Sequence, residues 1–307
     1  MRLIPCPLCH EATFQLLEQK TYAHLTVATV LCPTCGLVYH NPVVEDRDRE
    51  GLGLSHGQLH TDTAIRPRQL RRVARRLAYQ TDFLQGIVQP GWRTLEIGCG
   101  LGHLSAWLRQ RGCQTLSLEP DRQQAEFARR TFGLEVRQCR FEEAQLEGRF
   151  DFFAASHVIE HIPEPLSFLA QLRAAAAPQA RLFMETPNIL APKVGPGRLF
   201  SLAHNFYFSP PTLAASLAQT GWQVLTLRVF QRDSFMVLAQ AGPRRELLPP
   251  RQHAQEVWRA MARHRLRYYL HLQFLWRKIP LGRRLWMYRF RDYPGQSVPV
   301  NLSVSGE

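Results

Sequence analysis

The sequence predicts an α/β chain in which helices cover both faces of a mostly parallel sheet, with a small metal-stapled module in front and a basic helical extension behind. Three observations carry that expectation. Strand and helix patterns alternate after Pro90-Gly91, a glycine-rich turn follows the first strand of the series, and two CxxC pairs stand near the start. With 307 residues, 45% of them hydrophobic, the chain has enough apolar content for one full domain and a smaller module. The expected divisions are 1–42, 43–89, 90–241 and 242–307.

The first division rests on Cys6-Pro-Leu-Cys9 and Cys32-Pro-Thr-Cys35, with 22 residues between the pairs. Each CxxC turn aims two thiolates at one ion, so Cys6, Cys9, Cys32 and Cys35 make a tetrahedral zinc site. Four protein ligands leave no open position, which makes the zinc structural. Tyr22, Leu25, Val27 and Val30 suit short antiparallel strands between the pairs, and the whole reads as a zinc ribbon. No positively charged start leads into an apolar run, and no stretch of about 18 apolar residues occurs, so a cytoplasmic location with reduced thiols is expected.

Residues 43–63 are polar and read as a connector. Leu70, Val73, Ala74, Leu77, Leu84, Ile87 and Val88 then recur at helical spacing, with Arg66, Arg68, Arg71, Arg72, Arg75 and Arg76 mostly on the other faces. That arginine face reads as solvated, the commoner fate of such a pattern, although it also suits nucleic acid. Strands are expected at 94–97, 115–118, 134–137, 150–155 and 181–185, with helices at 103–111, 121–132, 165–177 and 212–220. Two further strands, 223–230 and 235–241, are joined by a short link and close the sheet as an antiparallel hairpin.

The segment Leu95-Glu96-Ile97-Gly98-Cys99-Gly100-Leu101-Gly102 lies after a strand and opens a helix. Glycines there let the backbone turn tightly and approach a ligand. A dinucleotide fingerprint would put its last glycine at 103, where His103 stands. Glu96 at the strand end would repel a pyrophosphate and would suit an ammonium or sulfonium group. Glu119, 23 residues beyond Glu96, ends the next strand, where a carboxylate in doubly wound folds accepts both ribose hydroxyls.

Those glycines and acids resemble the motifs of class I S-adenosylmethionine-dependent methyltransferases. So do Phe150-Asp151 with Ser156-His157-Val158-Ile159-Glu160-His161-Ile162, and Glu185-Thr186-Pro187-Asn188. His204-Asn205-Phe206-Tyr207-Phe208-Ser209 with Gly221-Trp222 is similar to the ubiquinone-pathway O-methyltransferase branch, while the ribbon in front resembles that of sugar C-methyltransferases. The resemblance implies a Rossmann-like seven-stranded methyltransferase sheet with S-adenosylmethionine as cofactor. It places Gly98, Gly100 and Gly102 along the methionine part, with the backbone of Cys99 beside it and Glu96 near the amino group. It further implies Glu119 on the ribose, Phe141 and Glu142 by the adenine, and Ser156 and His157 bordering the donor methyl. His161 and His204 are the candidate bases, because an oxygen or carbon acceptor must lose a proton and histidine titrates near neutrality. Cys113 and Cys139 read as core thiols.

The net charge of +13 points first to acidic partners. Residues 243–307 hold 13 Lys and Arg against 4 acids and carry nine aromatics, so most of the excess is in the tail. Val257, Met261, Tyr268, Leu272, Leu275 and Ile279 approximate a helical stripe, and Arg259, Arg263 and Arg267 stack at a repulsive spacing that calls for an acidic neighbour. This composition suits either peripheral contact with a membrane surface or a helix packed on the main domain. The function expected is methylation of a small or carrier-linked acceptor such as a sugar, quinone-like or natural-product-like compound. The alternatives are RNA methylation, opposed by Ser156-His157 where amino-group methylating nucleic-acid enzymes carry an Asn-Pro-Pro-Tyr-like signature, and a non-catalytic scaffold that only senses the cofactor.

Overall fold

The computed structural model describes residues 3–50, 65–230 and 233–270, together with the pairs 296–297 and 303–304. Strands β1 (Gln15–Tyr22), β2 (Leu25–Leu31) and β3 (Val38–His40) run antiparallel, with Leu25, Val27 and Val30 of β2 buried. A short helix α1 (Asp46–Glu50) follows, and its Arg49 is buried, so the start of the connector is docked. The rest of the connector lies outside the described residues. Helix α2 (Pro67–Leu84) starts on a proline, whose missing N–H costs nothing in a first turn, and buries Phe83, Leu84 and Gln80.

The main sheet is built from β4 (Arg93–Ile97), β5 (Gln114–Leu118), β6 (Glu135–Arg137), β7 (Phe150–Ser156) and β8 (Ala176–Pro187), all parallel. Between them run α3 (His103–Gln110), α4 (Arg122–Phe132) and α5 (Pro165–Ala174). After β9 (Phe206–Tyr207) and α6 (Pro210–Gln219), the antiparallel pair β10 (Trp222–Phe230) and β11 (Ser234–Ala241) completes the sheet. The order β6-β5-β4-β7-β8-β11-β10 reverses direction of growth at β4, which opens a crevice at the carboxyl ends of β4 and β7. Beyond it come β12 (Leu247–Leu248), α7 (His253–Leu270), β13 (Gln296–Ser297), which adds an eighth strand beside β10, and β14 (Ser303–Val304).

Among the boundaries that differ from the sequence expectation, two have a plain physical reason. Helix α5 stops at Ala174 rather than 177, because Ala176 already pairs with Phe150; sheet pairing overrides the helix preference of this alanine-rich run. Helix α6 begins at Pro210 because the Ser209 hydroxyl caps the Thr212 N–H, and prolines are tolerated in the first turn.

The ribbon is not an appended bead. Val38 and Tyr39 of β3 pair with Tyr207 and Phe206 of β9, and Cys6, Leu8, Val30 and Tyr39 share one buried cluster with Leu95, Phe153 and Leu182 of the main sheet. Asn205, fully buried just before β9, ties the two parts: its Oδ1 accepts from Val44 N at 3.1 Å, and its Nδ2 donates to the carbonyls of Val44 and His161 at 3.0 and 3.2 Å. Val257 and Met261 of α7 pack on Val38, Ile189, Phe200 and Tyr207. The tail helix therefore begins as part of the domain, while Leu272, Leu275 and Ile279 lie outside the described residues. No acid meets Arg259, Arg263 or Arg267 among the described residues; Arg259 bonds Gln255 and Arg263 bonds the Arg259 carbonyl, so exposure to solvent offsets their repulsion instead.

Replacing Asn205 by alanine leaves two carbonyls and one N–H without their partner, a loss on the order of 3 kcal/mol. Urea unfolding of Asn205→Ala is expected to show a lower midpoint at unchanged slope.

Candidate active site

The turn from β4 into α3 lines a cavity of about 930 Å³ at the carboxyl ends of the parallel strands. Gly98 has φ +66°, and a Cβ there would stand 2.8 Å from Val158 Cγ2, so only glycine fits. Gly98, Cys99, Gly100 and Leu101 line the cavity. Gly102 does not: a Cβ on it would lie 2.7 Å from Ala128 Cβ and Leu134 Cδ1. Its place is to let α3 seat against α4, which corrects its expected position along a ligand.

Glu119 at the end of β5 accepts from Gly100 N at 2.7 Å through Oε2 and from Asp121 N at 2.9 Å through Oε1, which fixes the carboxylate in the cavity wall. Glu96 also lines the cavity; its carboxylate takes the Ser105 hydroxyl, which in turn meets Ser117 Oγ at 2.8 Å. Burial pushes Glu96 up to about 8 and Glu119 up to about 7. Neither acid has a basic partner among the described residues, so a ligand that brings positive charge and hydroxyl donors fits the wall they form. Phe141, edge-on to Phe168 at 5.3 Å between centroids, is at once a packed side chain and a wall of the cavity, with Glu142 exposed beside it. Cys139 packs half-buried against the main core cluster and also lines the cavity, whereas Cys113 is buried and bonds the Gln89 carbonyl.

At the other end of the cavity, His157 follows β7 with φ +55°, a strained setting for a residue with a Cβ. Its ring lies between two buried acids, with Nδ1 3.1 Å from Glu160 Oε1 and Nε2 3.4 Å from Glu185 Oε1. Despite burial, which alone would lower it, hydrogen bonding to Glu160 and Glu185 raises His157 to about 9; its cation in turn holds both carboxyls at about 2 against their own burial. His157 is thus a fixed cation. Ser156 Oγ and Gln80 Nε2 donate to Glu185 at 2.8 and 2.7 Å, and Arg76 stands 3.7 Å from it.

His161 and His204 meet edge to face at 4.7 Å between centroids. His161 Nδ1 contacts the Ala203 carbonyl at 2.7 Å; since a carbonyl only accepts, Nδ1 carries a proton. Burial lowers His204 to about 4, so it is neutral at physiological pH. Glu160, His161 and His204 offer ligand atoms within 4.8 Å of one another, a set that can also hold a divalent ion.

The four ribbon thiols lie within 4.8 Å of one another, with Cys6 Sγ 3.5 Å from Cys35 Sγ and Cys9 Sγ 3.4 Å from Cys32 Sγ. Edges of a tetrahedral Zn–S₄ site are about 3.8 Å, so this donor set fits structural zinc with small adjustments.

Gln80, Arg76, Val43 and Glu45 also line the cavity, and sequence reasoning did not place them there. The spacing of Arg72, Arg76 and Gln80 on one face of α2 was the available signal, but a polar helical face reads as solvated until its neighbour is known.

The family profile described as a methyltransferase domain matches residues 65–227. A ubiquinone biosynthesis O-methyltransferase of Hahella chejuensis is 35% identical over 107 residues, covering 32% of this chain and 44% of that protein. One of Bordetella parapertussis is 29% identical over 157 residues, covering 45% and 65%. The chain spans about half the length of the curated relatives it matches. The solved 1,6-didemethyltoxoflavin-N1-methyltransferase of Burkholderia thailandensis aligns with a TM-score of 0.48 at 19% identity, covering 74% of this chain and 100% of that one.

The pKa shifts set a pH dependence of stability. Glu96, Glu119 and His157 each bind their proton more tightly folded than unfolded, so stability is lost as pH rises through their folded values. Below pH 6.5 the depressed His40 and His204 work the other way. The thermal midpoint of the ligand-free protein is therefore expected to fall between about pH 6.5 and 9, and Glu96→Gln to flatten the part of that fall below pH 8. Removing zinc with a chelator is expected to lower the midpoint and to release one equivalent of metal, read by a colorimetric indicator.

Proposed function

The chain belongs to the methyltransferase domain family, and from that premise we propose that it is an S-adenosylmethionine-dependent methyltransferase that methylates an oxygen or carbon atom of a small or carrier-linked acceptor. The single observation that carries this reading is the division of one cavity into two chemistries. Buried acids without counter-charge line one end, and a fixed imidazolium with the neutral His204 ring and the adjoining His161 ring lines the other. S-adenosylmethionine, when bound, supplies a methyl group activated on a sulfonium sulfur.

The residues have separable tasks. Glu119, already locked by two backbone N–H groups, accepts from ribose hydroxyls, and Glu96 ionises opposite the ammonium and sulfonium charges. Gly98 and Gly100 keep the wall free of side chains, and Phe141 packs by the adenine. Because His157 is held as a cation, it does not serve as base; it fixes the loop that borders the donor methyl together with Ser156. His161 takes the acceptor's proton on Nε2, with the Ala203 carbonyl holding the tautomer and His204 packed against the ring. Orientation of acceptor and methyl in line does the rest. A quinone-like, sugar or natural-product hydroxyl is consistent with the ubiquinone O-methyltransferase relatives.

Calorimetry is expected to show S-adenosylmethionine binding in the wild type and to lose it, by tenfold or more, in Glu96→Ala and Glu119→Ala; unchanged affinity in both refutes the cofactor assignment. With an acceptor found by screening for S-adenosylhomocysteine release, His161→Ala is expected to lower kcat by about 10²–10³ while cofactor affinity stays within twofold.

A further inference from the structure

A second cavity of about 430 Å³ adjoins the first and shares Arg72, Arg76, His157 and His204 with it. Five arginine and lysine side chains line it beside those histidines: Arg72, Arg75 and Arg76 from α2, and Lys193 and Arg198 from the segment between β8 and β9. Only two acids face them, and both are engaged. Glu185 is held by His157, with Arg76 alongside, and Asp233 pairs with Lys193 at 2.6 Å. Arg72, Arg75 and Arg198 have no hydrogen-bonding or ionic partner for their guanidinium groups among the described residues. Two chain segments far apart in sequence thus converge three unmatched guanidinium groups on one hollow, next to the histidines that border the reacting centre.

From this arrangement we infer that the second cavity is the acceptor's anion subsite, and that the group it takes is a phosphoryl group, mono- or diphosphate. Guanidinium forks match phosphoryl oxygens two at a time, and three unmatched cations neutralise a group of two or more negative charges better than a single carboxylate. The same logic keeps the anion away from the glycine-turn end of the first cavity, where Glu96 and Glu119 stand. The acceptor then lies with its phosphate between α2 and the segment after β8, and its reacting atom toward His161 and His204. That orientation rests on the proposed methyl transfer, whereas the subsite itself does not.

The test uses inorganic pyrophosphate as probe, titrated calorimetrically into the full-length protein at low salt with saturating S-adenosylhomocysteine. The expected result is one site, weakened roughly tenfold or more by Arg72→Ala/Arg75→Ala and by Arg198→Ala. Arg68→Ala/Arg71→Ala removes the same charge from the same helix outside the cavity and is expected to change affinity less than twofold. Equal weakening by both α2 pairs would mean diffuse surface attraction and overturn the inference, as would tighter binding of malonate, a dicarboxylate, than of pyrophosphate. Folding of the variants is read from an unchanged thermal midpoint. A protein that binds pyrophosphate at this site but no S-adenosylhomocysteine would refute the methyl-transfer reading and leave the subsite standing; the reverse result would refute the subsite alone.

Discussion

Two carboxylates buried side by side at the carboxyl edge of the sheet, Glu160 and Glu185, are the constraint on which the rest of the site depends. Each is about 1% exposed, and charge so far from water survives only when it is paired. His157 supplies the pairing from between them, at the cost of a left-handed backbone. Thr186, Ser156 and Gln80 complete the acceptor capacity of the two acids. One consequence is chemical: a histidine held as a cation is not free to accept a proton near neutral pH. Another is architectural, since the Glu160 carbonyl receives the N–H groups of Asn205 and Phe206 and so sets where β9 begins.

Through β9 the ribbon becomes part of the same construction. Tyr39 stacks on Phe206 at 6.1 Å, Tyr207 reaches His40 at 3.3 Å, and Val43 and Glu45 past β3 line the cavity. The cysteines and Tyr39 of β3 thus share one buried cluster with the main sheet. On the far side, His253 at the start of α7 bonds Ser209 at 2.7 Å and packs under Gly36 of the second knuckle, where a Cβ would meet its ring at 2.9 Å. Knuckle, cap of α6 and tail helix are locked at one point.

The basic character of the chain has two different settings. On α7 the arginines face outward beside the exposed Trp258. On α2 the helix stands over a hollow, so Arg72, Arg75 and Arg76 gather where Lys193 and Arg198 also point. Similar composition thus has unlike electrostatic meaning, because a concave surface concentrates field that a convex one loses to water.

Local patterns in the chain determined the alternation of strands and helices, the four clustered thiols, the glycine turn with Glu96 and Glu119, and the proximity of His157, His161 and His204 to one site. These features are legible because periodicity, metal-ligand spacing and backbone conformation are properties of short segments. Tertiary structure alone decided that Gly102 serves helix packing, that Cys139 faces the cavity, that Asn205 joins ribbon to sheet, and that His157 is a cation while His204 is neutral. Each of those depends on what a distant segment places within a few ångströms, and desolvation and pairing arise only when such segments meet.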